Sequence, residues 1–294
     1  MKVFVTGATG FIGSAIVREL LANEHKVLGL ARSDEAVASL VSVGADVQRG
    51  TLDDLDSLRS GATASDAVIH TAFIHDFSNY AGAAEADRRA IETLGAALVG
   101  SNRPFIVTDG LAGVVSGRLM TEEDGRYSGV GRLSEVTALS LIPQGVRVSV
   151  MRLPSSVHGE GDRAFVPALI NIARAKGVSA YPGDGLNRWP AVHRLDAAHL
   201  YRLALENAPA GTRLHAVADE GIAVRDIAEV IGRHLNVPVV SLPIEEANEH
   251  FGWLGSFFSA DIAASSTLTQ QRFGWHPVQL GLLADLDHDY YFNS

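Results

Sequence analysis

Thr6-Gly7-Ala8-Thr9-Gly10-Phe11-Ile12-Gly13 sets three glycines at every third position, directly after the apolar run Val3-Phe4-Val5 and before Ser14-Ala15-Ile16-Val17-Arg18-Glu19-Leu20-Leu21. This order is a strand, a tight turn and an amphipathic helix. One glycine makes the turn, one lets the backbone approach a pyrophosphate, and one lets helix pack on strand. The helix N-terminus adds free N–H groups and the positive end of its dipole. Gly7, Thr9, Gly10, Phe11, Ile12 and Gly13 are therefore expected to hold the phosphates of a dinucleotide; placement between strand and helix separates this from an ordinary βα turn.

A second set lies at the end of the next apolar run, Gly29-Leu30-Ala31-Arg32-Ser33. An acidic residue there would bind a ribose 2′-hydroxyl. Arg32 and Ser33 stand in its place and suit a 2′-phosphate, so NADP(H) is the expected cofactor; the competing reading has Arg32 solvated and Asp34 on the hydroxyl. Leu52 and Asp53 are an apolar–acidic pair placed to flank an adenine, with Asp54 a helix cap. Phe73, Phe77, Trp189 and Trp253 are candidates for an apolar pocket wall, against core packing as the default for aromatics. His193, His199 and Asp196 are read without a metal: Asp196 caps a helix and His193 lies in a strand. The acidic groups at 53–56 and 122–124 read as solvated turns or helix starts.

The elements that must position these residues alternate. Strands are expected at 2–6, 26–31, 46–48, 67–70, 105–108 and 146–152, and helices at 13–22, 34–43, 83–100 and 131–141. Ser33 is an N-cap and Gly44 a stop for the second helix. Continuous apolar strands in βαβ order give an α/β, Rossmann-type, doubly wound parallel sheet. Past Arg152 prolines and glycines break the rhythm, with later helices at 165–176, 195–206 and 222–235 and a strand at 213–218. The expected division is a dinucleotide-binding domain at 1–158, with 191–217 returning to it, and a smaller C-terminal substrate-binding lobe at 159–190 and 218–294. Ligand belongs at the carboxyl ends of the strands, between the two.

The chain has 294 residues, 47% apolar, and a formal net charge of −10. That charge disfavours nucleic acid and anionic membrane as partners. Without cysteine there is no disulfide, thiolate nucleophile or thiolate-bound metal, which fits a reducing cytoplasm. The N-terminal segment is too short for a signal-peptide apolar region, and no stretch is long and apolar enough to span a membrane.

Taken together, Thr6 to Gly13, Gly50-Thr51-Leu52-Asp53, Asp66-Ala67-Val68-Ile69-His70-Thr71-Ala72, Arg152-Leu153-Pro154-Ser155-Ser156-Val157-His158-Gly159, Gly183-Asp184-Gly185, Val192-His193-Arg194-Leu195-Asp196 and Phe273-Gly274-Trp275-His276-Pro277 resemble the extended short-chain dehydrogenases/reductases of the NAD-dependent epimerase/dehydratase superfamily. The resemblance implies cofactor contacts at Thr71, Ala72, Phe73, Thr108, Pro154 and Val157. Ser155 would touch the carboxamide or the substrate, and Phe77, His158, Arg188 and Trp189 would border the substrate, Arg188 where sugar-nucleotide enzymes bind a pyrophosphate.

The departures are as informative. The superfamily's catalytic Tyr, the Lys four residues on, and a hydroxyl at the fifth strand's end give here Tyr127, Gly131 and Gly110. Tyr127 remains the candidate proton donor, and Arg132 is a neighbouring charge that helical geometry would point away. The resemblance implies an oxidoreductase moving a hydride between NADP(H) and a small-molecule carbonyl or alcohol. The alternatives are a nucleotide-sugar epimerase or dehydratase and a non-catalytic NADP sensor. It also implies a homodimer paired through 83–100 and 131–142, with Ala83, Ala84, Ala90, Ala97, Ala138 and Leu139 at the contact.

Overall fold

The computed structural model describes residues 1–75, 79–111, 117–125 and 132–293. Its strands are β1 (Lys2–Thr6), β2 (Lys26–Ala31), β3 (Asp46–Arg49), β4 (Ala67–His70), β5 (Pro104–Gly110), β6 (Leu119–Met120), β7 (Arg147–Leu153), β8 (Ser156–His158), β9 (Ser179–Pro182), β10 (Arg188–His193), β11 (Thr212–His215), β12 (Asp219–Ala223), β13 (Val239–Leu242) and β14 (Ala263–Ala264). The helices are α1 (Phe11–Ala22), α2 (Asp34–Ser42), α3 (Leu55–Thr63), α4 (Tyr80–Ala96), α5 (Ser134–Leu139), α6 (Phe165–Lys176), α7 (Arg194–Asn207), α8 (Val224–Leu235), α9 (Ala247–Phe251), α10 (Gly255–Phe258), α11 (Thr267–Phe273) and α12 (Leu282–Leu286).

Seven parallel strands form the main sheet in the order β11-β7-β5-β4-β1-β2-β3. The chain's direction of travel reverses between β1 and β4, and an open α/β sheet leaves its ligand crevice at such a reversal. Successive residues of β1 serve opposite layers. Val3 and Val5 join Ile16, Leu20, Tyr201 and Trp275 on one face, while Phe4 joins Leu58, Ile91, Leu94 and Phe105 on the other. With both faces covered, every position of a central strand must be apolar, which is why these segments read as unbroken hydrophobic runs.

After β7 the chain leaves this sheet. β8, β10 and β12 make a small three-stranded sheet, and β9 pairs with β13. A separate apolar cluster of Val166, Ile170, Trp189, Ile227, Phe251 and Phe258 supports them. Then α7 packs along α1, and β11 adds to the large sheet's edge.

Three expectations change. The described helix near 131–141 begins only at Ser134. Asp196 caps nothing: His193 is the N-cap of α7, and the Asp196 carboxylate accepts the backbone N–H groups of Val278 and Gln279 at 3.0 Å each. Ala83, Ala84, Ala90 and Ala138 are buried within the chain's own core. The outward side of α4 instead carries Arg88 bridging Glu85 and Glu92, so these alanines are not a surface for a second copy.

Candidate active site

Gly7, at φ +69°, turns the chain out of β1, and the N–H of Gly10 donates to its carbonyl at 2.9 Å. A Cβ on Gly13 would lie 2.0 Å from the Gly7 oxygen, and one on Gly10 would lie 3.1 Å from it. Residue 13 must therefore be glycine for the helix to sit this close. No side chain caps α1, so its first N–H groups face the crevice without an internal acceptor. A loop whose Cβ positions are forbidden and whose helix end is uncapped fits a pyrophosphate, and these residues fit the nicotinamide dinucleotide the motif implies.

At the end of β2, Arg32 is exposed. The Ser33 hydroxyl accepts from Ala36 N–H at 3.3 Å as the cap of α2. Asp34 is ion-paired with Arg49, which holds its carboxyl below the usual range. Asp54 caps α3, accepting Ser57 N–H at 3.1 Å, and Asp53 pairs with Arg89 at 3.1 Å. Leu52 packs against the core layer of Phe4.

A buried polar chain runs from the loop into the sheet. The Thr6 hydroxyl and His70 Nδ1 share a 2.8 Å hydrogen bond, and His70 Nε2 lies 3.1 Å from Asp87 Oδ1. Burial would raise the Asp87 pKa, but Arg132 and then His70 outweigh it and hold the carboxyl below its ordinary value. An ionised Asp87 can only accept, so His70 Nε2 carries a proton toward it. At the far end, Ser134 donates to Asp87 at 2.5 Å and Arg132 Nε donates to Ser134 at 2.6 Å. The Arg132 guanidinium lies 4.1 Å over the Phe73 ring. Residue 132 precedes α5, so the helical offset that would turn it away does not apply.

Thr71 donates to the Thr6 carbonyl at 2.7 Å, and Ala72 N–H reaches the Thr6 hydroxyl at 3.4 Å. Thr108 is drawn inward: its hydroxyl meets the His70 carbonyl at 2.8 Å and the Tyr201 hydroxyl at 2.6 Å, so it serves the core and not the cofactor face. At Gly110, the position of the superfamily's hydroxyl, an added Cβ would meet no atom of the described residues within 4 Å. Tyr127, Phe77 and Gly131 lie outside the described residues.

The turn after β7 places Pro154 in the interior and leaves Ser155 and Val157 half-buried. His158 is fully buried. Its Nδ1 is 2.8 Å from Asp285 Oδ2, and the same carboxylate takes the hydroxyls of Tyr290 and Tyr291. His158 is thereby a packing link to α12 and not a surface for substrate. Trp189 is likewise wholly buried, with its indole N–H on the Phe257 carbonyl at 3.0 Å. It supports a wall whose outer rings are Phe165, Phe257 and the half-exposed Trp253, each pair within 6.5 Å. Arg188 is clasped by Asp261, Nε to Oδ1 at 2.9 Å and a terminal nitrogen to Oδ2 at 2.8 Å.

Comparison with known proteins fits this geometry. Residues 3–93 match the model of the NAD dependent epimerase/dehydratase family. An uncharacterized protein of Schizosaccharomyces pombe is 54% identical over 295 residues, covering 99% of this chain and all of that protein. The chain belongs to the NAD-dependent epimerase/dehydratase family. A 2-alkyl-3-oxoalkanoate reductase of Stenotrophomonas maltophilia is 28% identical over 220 residues, 70% of this chain and 66% of that one. The dTDP-glucose 4,6-dehydratase of Streptomyces venezuelae, solved with NAD bound, shares the fold at a TM-score of 0.76 and 19% identity, over 98% of this chain and 95% of that chain. The family is one of enzymes that use a nicotinamide cofactor.

Sequence reading missed Asp87, Asp261 and Asp285, the carboxylates that occupy His70, Arg188 and His158. Glu122, expected in a solvated turn, is buried and accepts both the N–H and hydroxyl of Thr269 at 2.7 Å. Among the described residues no cluster could hold a metal ion, and no helix is long and apolar enough to cross a membrane.

Proposed function

We propose that this family member is an NADP(H)-dependent oxidoreductase acting on the carbonyl or alcohol carbon of a small, largely apolar molecule. The observation that carries the reading is the Arg188–Asp261 clasp, in a lobe that also holds the aromatic group Phe165, Trp253 and Phe257. An arginine meant for a substrate pyrophosphate is here neutralised by a bidentate carboxylate. The lobe's aromatic surface suits an alkyl or aryl substituent better than a sugar nucleotide. The similarity to a 3-oxoalkanoate reductase supports the same direction.

When bound, the nicotinamide supplies or accepts the hydride. The protein's part is to hold both partners and move one proton. Tyr127 donates that proton to the carbonyl oxygen. Arg132, held by Asp87 and Ser134, supplies the positive charge that the absent lysine would have given. Ser155 orients the carbonyl, and Arg32 binds the 2′-phosphate. A homodimer completes the proposal, with α5 offering the exposed Val136 in place of the inward-facing alanines; a sedimentation mass near 31.2 kDa at micromolar concentration would exclude it.

The test is NADPH oxidation over apolar ketones and aldehydes beside a panel of uridine and thymidine diphosphate sugars. Turnover of the ketones is expected, and turnover of the sugars alone would overturn the reading. Tyr127→Phe should lower kcat by ~10²–10⁴-fold with NADPH affinity unchanged. Arg32→Ala should weaken NADPH about tenfold or more and leave NADH as it was; equal loss for both cofactors would refute the NADP(H) preference.

A further inference from the structure

We infer that Arg194 is a second cofactor clamp, reaching from the start of α7 to the dinucleotide's pyrophosphate at the start of α1. The inference rests on the reading that the glycine loop holds a nicotinamide dinucleotide.

The guanidinium carbon of Arg194 lies 4.9 Å over the ring of Phe11, the first residue of α1. Arg194 is itself the first residue of α7, and α7 packs along α1. A cation at a helix N-terminus faces the positive end of that helix's dipole and is disfavoured there. Here two such ends converge, one carrying the guanidinium and the other beneath it.

Glu160 and Asp162 lie on the adjacent loop, but among the described residues neither pairs with Arg194. Among the described residues Arg194 makes no ion pair and no hydrogen bond through its guanidinium, which stacks on the Phe11 ring. The nearest acid in α7, Asp196, is buried and spends both oxygens on Val278 and Gln279. The adjacent loop wraps the side chain closely: a Cβ at Gly159 (φ +131°) would lie 2.8 Å from His193 Nε2 and 3.4 Å from Arg194 Cγ. A Cβ at Gly161 (φ +84°) would lie 3.9 Å from a terminal nitrogen of Arg194. Thus the loop confines the arginine without an ion pair to it. A half-buried cation above an uncapped helix end suits an anion, and the dinucleotide's diphosphate is the anion that this loop fits.

Both cofactors carry the diphosphate, and this separates Arg194 from Arg32. Calorimetric titration of Arg194→Met with NADPH and with NADH should show both weakened by about 10–100-fold, the worth of a charge-assisted hydrogen bond. Arg194→Lys, which keeps the charge and loses the fork, should lie between parent and Arg194→Met. Far-UV circular dichroism on the free protein checks folding, and Arg194→Gln replaces Arg194→Met if the latter is unfolded. Affinity for both cofactors within about twofold of the parent overturns the assignment, as does a loss confined to NADPH. A parent chain that binds neither cofactor overturns the cofactor reading itself; a parent that binds both, with variants that bind equally well, overturns Arg194 alone.

Discussion

Arg188 and Arg194 stand at the two ends of β10 and differ in their surroundings. Arg188 faces the lobe and is held on two nitrogens by Asp261; each partner's acidity constant moves to favour the charged form. Arg194 stacks on Phe11 and, among the described residues, is paired with no carboxylate. As a stability device the first pair counts for little, since both members are about a third exposed and such pairs contribute ~0–1 kcal/mol. Its effect is electrostatic: it removes a cation from the lobe. An arginine's position in a sequence motif therefore does not make an anion site. The nearby carboxylate, or its absence, decides.

The contrast can be broken most completely at the loop on which Arg194 acts. Gly13→Val would drive a side chain into the Gly7 carbonyl, and titration with NADPH or NADH should then detect no binding. Residual affinity would mean the phosphates lie elsewhere. A sharper test inverts the lobe. Asp261→Ala frees Arg188, and affinity for a uridine diphosphate sugar should rise by about tenfold, with only a small loss in urea midpoint. No gain would show that something other than charge excludes sugar nucleotides. The smallest effect concerns Asp162, on the loop beside Arg194. Burial pushes its carboxyl up to about 6. The unfolded chain ionises near pH 4 and the folded one near pH 6, so stability should fall as pH rises between them and stay lower above. Asp162→Asn should remove that slope and gain about 1 kcal/mol at pH 7.5, read from urea midpoints at pH 4.5 and 7.5.

The large sheet and its phosphate loop were legible because their determinants are local. Glycine spacing, caps at Ser33 and Asp54, and apolar runs all lie within one element and its neighbour. The lobe was hidden because its determinants pair across long stretches of chain. Arg188 finds Asp261 73 positions away, and Glu122 finds Thr269 147 positions away. Thr108 looked like a cofactor contact from its place on β5, yet strand alternation sends its side chain to Tyr201 on α7. Arg132 was judged by helical geometry, and the described helix begins only at Ser134. The short strands β8 and β12 escaped, and β10 showed only at His193, because proline and glycine surround them and their pairing partners are not sequence neighbours.

The carboxylate of Asp285 also bears on how the chain is made. His158 is sealed in the interior, and its hydrogen-bonding partner is encoded 127 residues downstream. On the ribosome the seven-stranded sheet has all its strands once His215 has emerged, while the imidazole still faces an unfinished shell. Vectorial synthesis thus separates the two halves in time: the phosphate loop is assembled early from adjacent segments, and the roof above it closes late, on a contact of long loop length. A nascent chain paused between these points would present a formed nucleotide cradle beneath an open lobe, a natural substrate for chaperones.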